Sequence, residues 1–113
     1  MGQVNVVRVG MNYISDNGSF TLTSGILASH PMPGSGAISL VNAGLEGFTR
    51  AAALEAPRGI RVNIVSPPWV SETLVKMGRD GSAGMPATQV AKAYLESVLG
   101  KQTGQVFAAQ DFS

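Results

Sequence analysis

The sequence predicts an α/β fold: a partial three-layer sandwich with parallel strands at about 19–24, 60–65 and 104–108 alternating with helices. Three observations carry this. Short runs with a two-residue apolar period alternate along the chain with longer runs of helical period. The helical runs are long enough to serve as crossovers, which favours strands paired in parallel through right-handed connections. Turn-forming stretches, Ser15-Asp-Asn-Gly18, Pro57-Arg-Gly59 and Pro67-Pro68, fall between the runs.

Residues 2–14 read as the first helix, with Val4, Val7, Met11 and Ile14 on one stripe and Val6, Gly10 and Tyr13 on a second. Two apolar stripes imply burial on two sides. Phe20 and Leu22 then alternate with Thr21 and Thr23 as a strand would. Gly25 to Gly36 reads as a loop, interrupted by Pro31, Pro33 and Gly34. The helix from about 36 to 55 places Ala37, Leu40, Val41, Gly44, Leu45, Phe48 and Ala52 on one face, and Glu46 and Arg50 at a spacing that allows an ion pair. In the next strand Ile60, Val62 and Ile64 alternate with Arg61, Asn63 and Val65. Residues 71–78 read as a short helix. Pro86 suits the first turn of another, striped by Ala87, Val90, Ala91, Tyr94, Leu95 and Val98 and stopped at Gly100. Tyr13 and Tyr94 lie on these stripes as packing residues.

At 113 residues the chain is one small domain, 1–113, with a modest core. Charged residues are only 13% of it, which suggests that a partner covers part of the surface. A formal net charge of +1 without a basic cluster argues against nucleic acid. There is no Cys, so disulfides and thiolate metal sites are excluded, as suits a cytoplasmic protein. The uncharged stretch 17–45 is too rich in Gly, Ser and Pro for a membrane helix, and no signal peptide is visible at the N-terminus. No His/Asp/Glu spacing suggests a metal site.

Four segments together resemble the short-chain dehydrogenase/reductases, in that family's order. They are Gly18-Ser-Phe-Thr-Leu-Thr-Ser24; Gly34-Ser-Gly-Ala-Ile38-Ser-Leu-Val-Asn42-Ala-Gly-Leu-Glu-Gly-Phe-Thr-Arg50; Arg58-Gly-Ile-Arg-Val-Asn-Ile-Val-Ser-Pro67; and Thr103-Gly-Gln-Val-Phe107. The resemblance implies the C-terminal half of a Rossmann-like domain and, for a complete protein, hydride transfer between NAD or NADP and a carbonyl or alcohol. It also implies an atypical member. Where the family has Tyr-x-x-x-Lys, its proton donor and the Lys that tunes it, this chain has Ile38 and Asn42.

By the same resemblance Ser24 stands at or next to the catalytic Ser that hydrogen-bonds the reacting oxygen. Its spacing to Ile38 is one residue longer than usual, which puts Gly25 in the usual register. The alternative is a Ser capping a strand end. His30 follows the strand's C-terminal end, where ligands sit in such sheets, and is the candidate substitute acid; an exposed loop His is the alternative. Pro67, Val70 and Thr73 (or Ser71) match the segment that lines the nicotinamide pocket, with Pro68 in place of a Gly; a loop start and helix cap is the alternative. The chain contains no strand–Gly-x-x-x-Gly-x-Gly–helix unit, so NAD or NADP binding is expected only with an N-terminal half supplied.

Two consequences follow for association. The strand at 19–24 should expose a row of unpaired N–H and C=O groups. The family dimerises through the helices corresponding to about 2–14 and 36–55, so a homodimer or tetramer, or an N-terminal half bound in trans, is expected. Alternatives to an enzyme half are a non-catalytic homo-oligomerising module and a longer gene in which Met1 is not the natural start.

Overall fold

The computed structural model describes residues 2–25, 33–67 and 85–109. The element order is α1 (Gly2–Gly10), β1 (Ser19–Thr23), α2 (Gly36–Glu55), β2 (Arg61–Ser66), α3 (Ala87–Leu99) and β3 (Val106–Ala108). The strands form one sheet in the order β1-β2-β3. Both pairings are parallel: Ser19 to Thr23 lie against Arg61 to Val65, and Ile64 to Ser66 against Val106 to Ala108. The sequence-derived fold class is therefore the observed one.

β2 is central and buried on both faces, so its side chains divide two cores. Val62 and Ile64 pack with Val7, Leu22 and Leu45 on the α1/α2 face. Val65 packs with Met85, Val90, Ala93, Phe107 and Ala109 on the α3 face. This gives three layers from one alternating strand.

The elements depart from the sequence reading in detail. The helix expected over 2–14 ends as α1 at Gly10, and Met11–Ile14 continue as turns. Arg58 fixes that exit: its guanidinium donates to the Met11 and Ile14 carbonyls and to Asp16 at 2.9 Å. The helix's own last carbonyls, Val7, Val9 and Gly10, accept from Met11 to Ile14, so Arg58 ties down the turns that follow the helix. The strand expected over 104–108 shortens to Val106–Ala108, because Gly104 turns with φ of 71° and donates its N–H to Val62.

Two helix faces keep part of the expected stripe, Leu45, Phe48 and Ala52 on α2 and Val90 and Tyr94 on α3, and shift in the rest. On α2, Leu45 and Thr49 are buried and Phe48, Ala52 and Ala53 pack beside them, whereas Leu40, Val41 and Gly44 stay exposed. On α3 the inward face is Val90, Ala93, Tyr94 and Ser97, and Leu95 and Val98 face outward. Hydroxyls decide the latter. Thr21 and Ser97 share a hydrogen bond of 2.6 Å, and Thr23 bonds the Tyr94 hydroxyl. Arg61 then donates to the Ser97 and Val98 carbonyls, placing a cation at the negative end of α3. Tyr94 is thus a packing residue as expected, but Tyr13 is 84% exposed.

The turn into β2 is tightly constrained backbone, packed against the turn that precedes β1. Asn17, Arg58 and Gly59 all have positive φ, and a Cβ on Gly59 would lie 2.3 Å from Asn17 Oδ1. Gly59→Ala is therefore expected to cost about 1–2 kcal/mol from the left-handed backbone alone, with the displaced Asn17 adding to it. A thermal melt followed by circular dichroism checks this; an unchanged midpoint would contradict the close approach of Gly59 to Asn17.

Candidate functional site

Side chains alternate along β1, so Ser24, two residues beyond Leu22, turns to the face that α2 covers. Its N–H extends the ladder by donating to Val65 O at 2.9 Å. Its Oγ donates to Glu46 Oε2 at 2.7 Å, and both residues are half-buried. Glu46 therefore does not join Arg50; among the described residues the ion pair is Arg58–Asp16.

Gly25 follows. A Cβ there would lie 2.9 Å from Asn42 Nδ2, so only a bare backbone allows the Asn42 amide to come this close. Asn42 lies one helical turn before Glu46, so Ser24, Gly25, Asn42 and Glu46 form one cluster at the C-terminal end of β1. Beside it is a shallow depression of about 250 Å³ lined by Ala37, Ile38, Val41 and Asn42. Ile38 is 55% exposed there and presents hydrocarbon alone.

Of the other sequence candidates, Pro67 directly follows β2 and is half-buried. His30, Val70, Thr73 and Ser71 lie outside the described residues. Glu46 was missed as a site residue. Its spacing to Arg50 suggested a surface pair, and only the crossover brings it to a residue 22 positions away.

A second opening lies between α1 and α2. It is a groove of about 410 Å³ lined by Val7, Arg8, Met11, Phe48, Ala51, Ala52 and Glu55. No group of three or more His, Cys, Asp or Glu among the described residues has the geometry to hold a metal ion. No described helix is long and apolar enough to cross a membrane.

The cluster lies at the carboxyl edge of the parallel sheet. It offers an amide and a hydroxyl there, at the edge where ligands of such folds sit. It supplies no cation to a pyrophosphate.

Comparison with known proteins gives the following. A family model described as enoyl-(acyl carrier protein) reductase matches residues 1–108. Among solved structures, the protein lin1944 from Listeria innocua is similar at 38% identity and a TM-score of 0.86, over 95% of this chain and 55% of that one. A small-chain dehydrogenase is similar at 29% identity and a TM-score of 0.79, over 95% and 53%. A small-chain dehydrogenase in complex with NADPH is similar at 27% identity and a TM-score of 0.80, over 95% and 56%. The chain thus spans about half the length of the structures it matches. No curated protein matches it.

Proposed function

The chain belongs to the short-chain dehydrogenase/reductase family, and from that premise we propose that it is the C-terminal half of an NAD(P)-dependent oxidoreductase acting on a carbonyl or alcohol. The observation that carries this reading is the cluster at the carboxyl end of β1, Ser24, Asn42 and Glu46 around Gly25, in a fold similar to that of a small-chain dehydrogenase in complex with NADPH. The bound dinucleotide would supply or accept hydride. Ser24 is the residue proposed to touch the reacting oxygen, with His30 as the sequence's candidate acid and Pro67, Val70 and Thr73 beside the nicotinamide.

Taken alone, these 113 residues should have little or no activity, because they contain no Gly-rich turn to grip the pyrophosphate. A fluorescence titration with NADPH tests both parts of the proposal. The full-length gene product is expected to bind and the isolated chain is not. A full-length product that binds no NADPH would overturn the enzyme reading.

A second reading is a non-catalytic homo-oligomerising module. The surface of α2 supports it: Leu40 and Leu54 are 75% and 89% exposed, and Val41, Gly44, Gly47 and Ala51 are exposed with them. The groove between α1 and α2 lies on the same helix pair, and exposed apolar stripes of this kind mark association surfaces. In either reading we propose a cytoplasmic homodimer or tetramer joined through α1 and α2, or an N-terminal half seated in trans. Size-exclusion chromatography with light scattering is expected to return at least twice the chain mass, and Leu40→Glu combined with Leu54→Glu should shift it toward monomer. A stable wild-type monomer at micromolar concentration would contradict this assembly.

A further inference from the structure

We propose that Asn17 is a site of spontaneous covalent modification: its side-chain amide condenses with the backbone nitrogen of Gly18, and the chain ages there to aspartate and isoaspartate. The reaction needs only water and is independent of the oxidoreductase reading.

The turn between α1 and β1 both selects the reactive pair and leaves it accessible. Asn17 has φ of 62°, a left-handed conformation that Asn adopts more readily than most residues with a side chain. Gly18 must be bare for packing: a Cβ there would lie 2.7 Å from Ile14 Cγ1 and 3.0 Å from Ser15 O. The turn therefore sets an Asn directly before the one residue with no side chain to obstruct ring closure. Asn17 is exposed, and its side-chain amide makes no hydrogen bond to a described residue. The Gly18 N–H is held by the Ser15 carbonyl at 3.1 Å, within the same surface turn. The other asparagines are less favoured. Asn5, Asn12, Asn42 and Asn63 precede Val6, Tyr13, Ala43 and Ile64, whose side chains crowd the attacking nitrogen. Asn5 and Asn42 also lie inside helices, and Asn63 is fully buried with both amide atoms bonded.

The step balances as follows. The Gly18 nitrogen gives its proton to water and attacks Asn17 Cγ. The new N–Cγ bond closes a five-membered succinimide, and the Cγ–Nδ2 bond breaks with Nδ2 leaving as ammonia. Water then adds to one of the two ring carbonyls. Opening at Cγ gives aspartate, and opening at the main-chain carbonyl carbon gives isoaspartate. Ammonia is lost, water is gained, and nothing is oxidised or reduced.

The two products differ in what they do to the fold. Asn17 N donates to Arg58 O at 3.0 Å, and Arg61 N donates to Gly18 O at 3.0 Å, so the dipeptide lies between two rungs that lead β1 onto β2. An isoaspartyl link lengthens the main chain between those rungs by one carbon, and both rungs cannot then keep their register. An aspartyl link leaves the main chain unchanged.

The test incubates the folded chain at mildly alkaline pH, maps it by peptide mass and probes it with an isoaspartate-specific methyltransferase. The peptide holding Asn17 should exchange the mass of ammonia for that of water and become methylatable, ahead of the peptides holding Asn5, Asn12, Asn42 and Asn63. Asn17→Gly keeps the left-handed turn and should abolish both signals. The isoaspartyl fraction should melt at a lower temperature than the unaged chain, and Asn17→Asp close to it. A folded chain that stays unmodified at Asn17, while the same chain in urea reacts there, would overturn the proposal, because the turn would then protect the pair. So would modification spread evenly over the asparagines. An isoaspartyl fraction that melts with the unaged chain would overturn the break assigned between β1 and β2.

Discussion

Ile64→Ala is expected to destabilise the chain by about 3–4 kcal/mol, the largest loss of any single truncation in the sheet. Ile64 is 0% exposed, sits on the central strand, and is pressed between β1 and β3 while packing with Val7, Leu22, Leu45 and Val62. The substitution removes its branched side chain from a fully buried site in that cluster and leaves a cavity behind. Domains of this size hold only about 5–15 kcal/mol in total, and a three-stranded sheet belongs at the lower end. Urea denaturation followed by circular dichroism should show a sharply lowered midpoint, with Ile64→Val costing only about 1 kcal/mol. A loss below about 1 kcal/mol for the Ala variant would mean that the α1/α2 face is not packed against the sheet.

Asn63→Ala carries the second largest expected effect, and for a different reason. Asn63 is also 0% exposed. Its Nδ2 donates to Gln102 O at 2.9 Å and its Oδ1 accepts from Gln105 N at 3.0 Å. One side chain therefore serves as the partner for both ends of the turn that delivers β3. Truncation leaves those two backbone groups without it, at about 2–4 kcal/mol depending on how far water replaces the amide. The loss should begin locally. Hydrogen exchange at Gln105 and along β3 should accelerate before global unfolding does. Exchange that rises uniformly, or not at all, would contradict the role assigned to this amide.

Asn63 also shows what the sequence made legible and what it did not. It belongs to the segment Arg58 to Pro67, one of the four that mark the family resemblance. The strand period placed it opposite Val62 and Ile64, and the structure agrees. What the period could not reveal was the pairing with Gln102 and Gln105, 39 and 42 residues on, which exists only once β3 has crossed over to lie beside β2.

The same division runs through the chain. The bounds of α2 and the parallel order followed from local pattern, because Pro57-Arg-Gly59 ends a long helical run without ambiguity. Which arc of α2 faces the sheet did not follow. The helix is apolar or small over most of its circumference, so hydrophobicity added Leu40, Val41 and Gly44 to the face that Leu45, Phe48 and Ala52 do form, and passed over Thr49. Thr49 was invisible as a core residue until its hydroxyl found the Leu45 carbonyl of its own helix at 2.8 Å. In the candidate site, Ser24 and Asn42 were legible by resemblance. Glu46 was not, because no spacing rule links a strand end to a helix turn across a crossover.

The free side of β1 holds one more lesson. Gln3, from the first turn of α1, gives its Nε2 hydrogen to Thr23 O at 3.0 Å and takes the Thr23 N–H on its Oε1 at 2.8 Å. A side-chain amide here imitates the peptide of a neighbouring strand, so the margin expected to be bare is sealed at its carboxyl end. Any extended segment that lines up along β1 must evict Gln3 and so trades two hydrogen bonds for two. Backbone pairing at Thr23 then yields almost no net gain, and selectivity for the incomer falls to the side chains it can bury beneath α1.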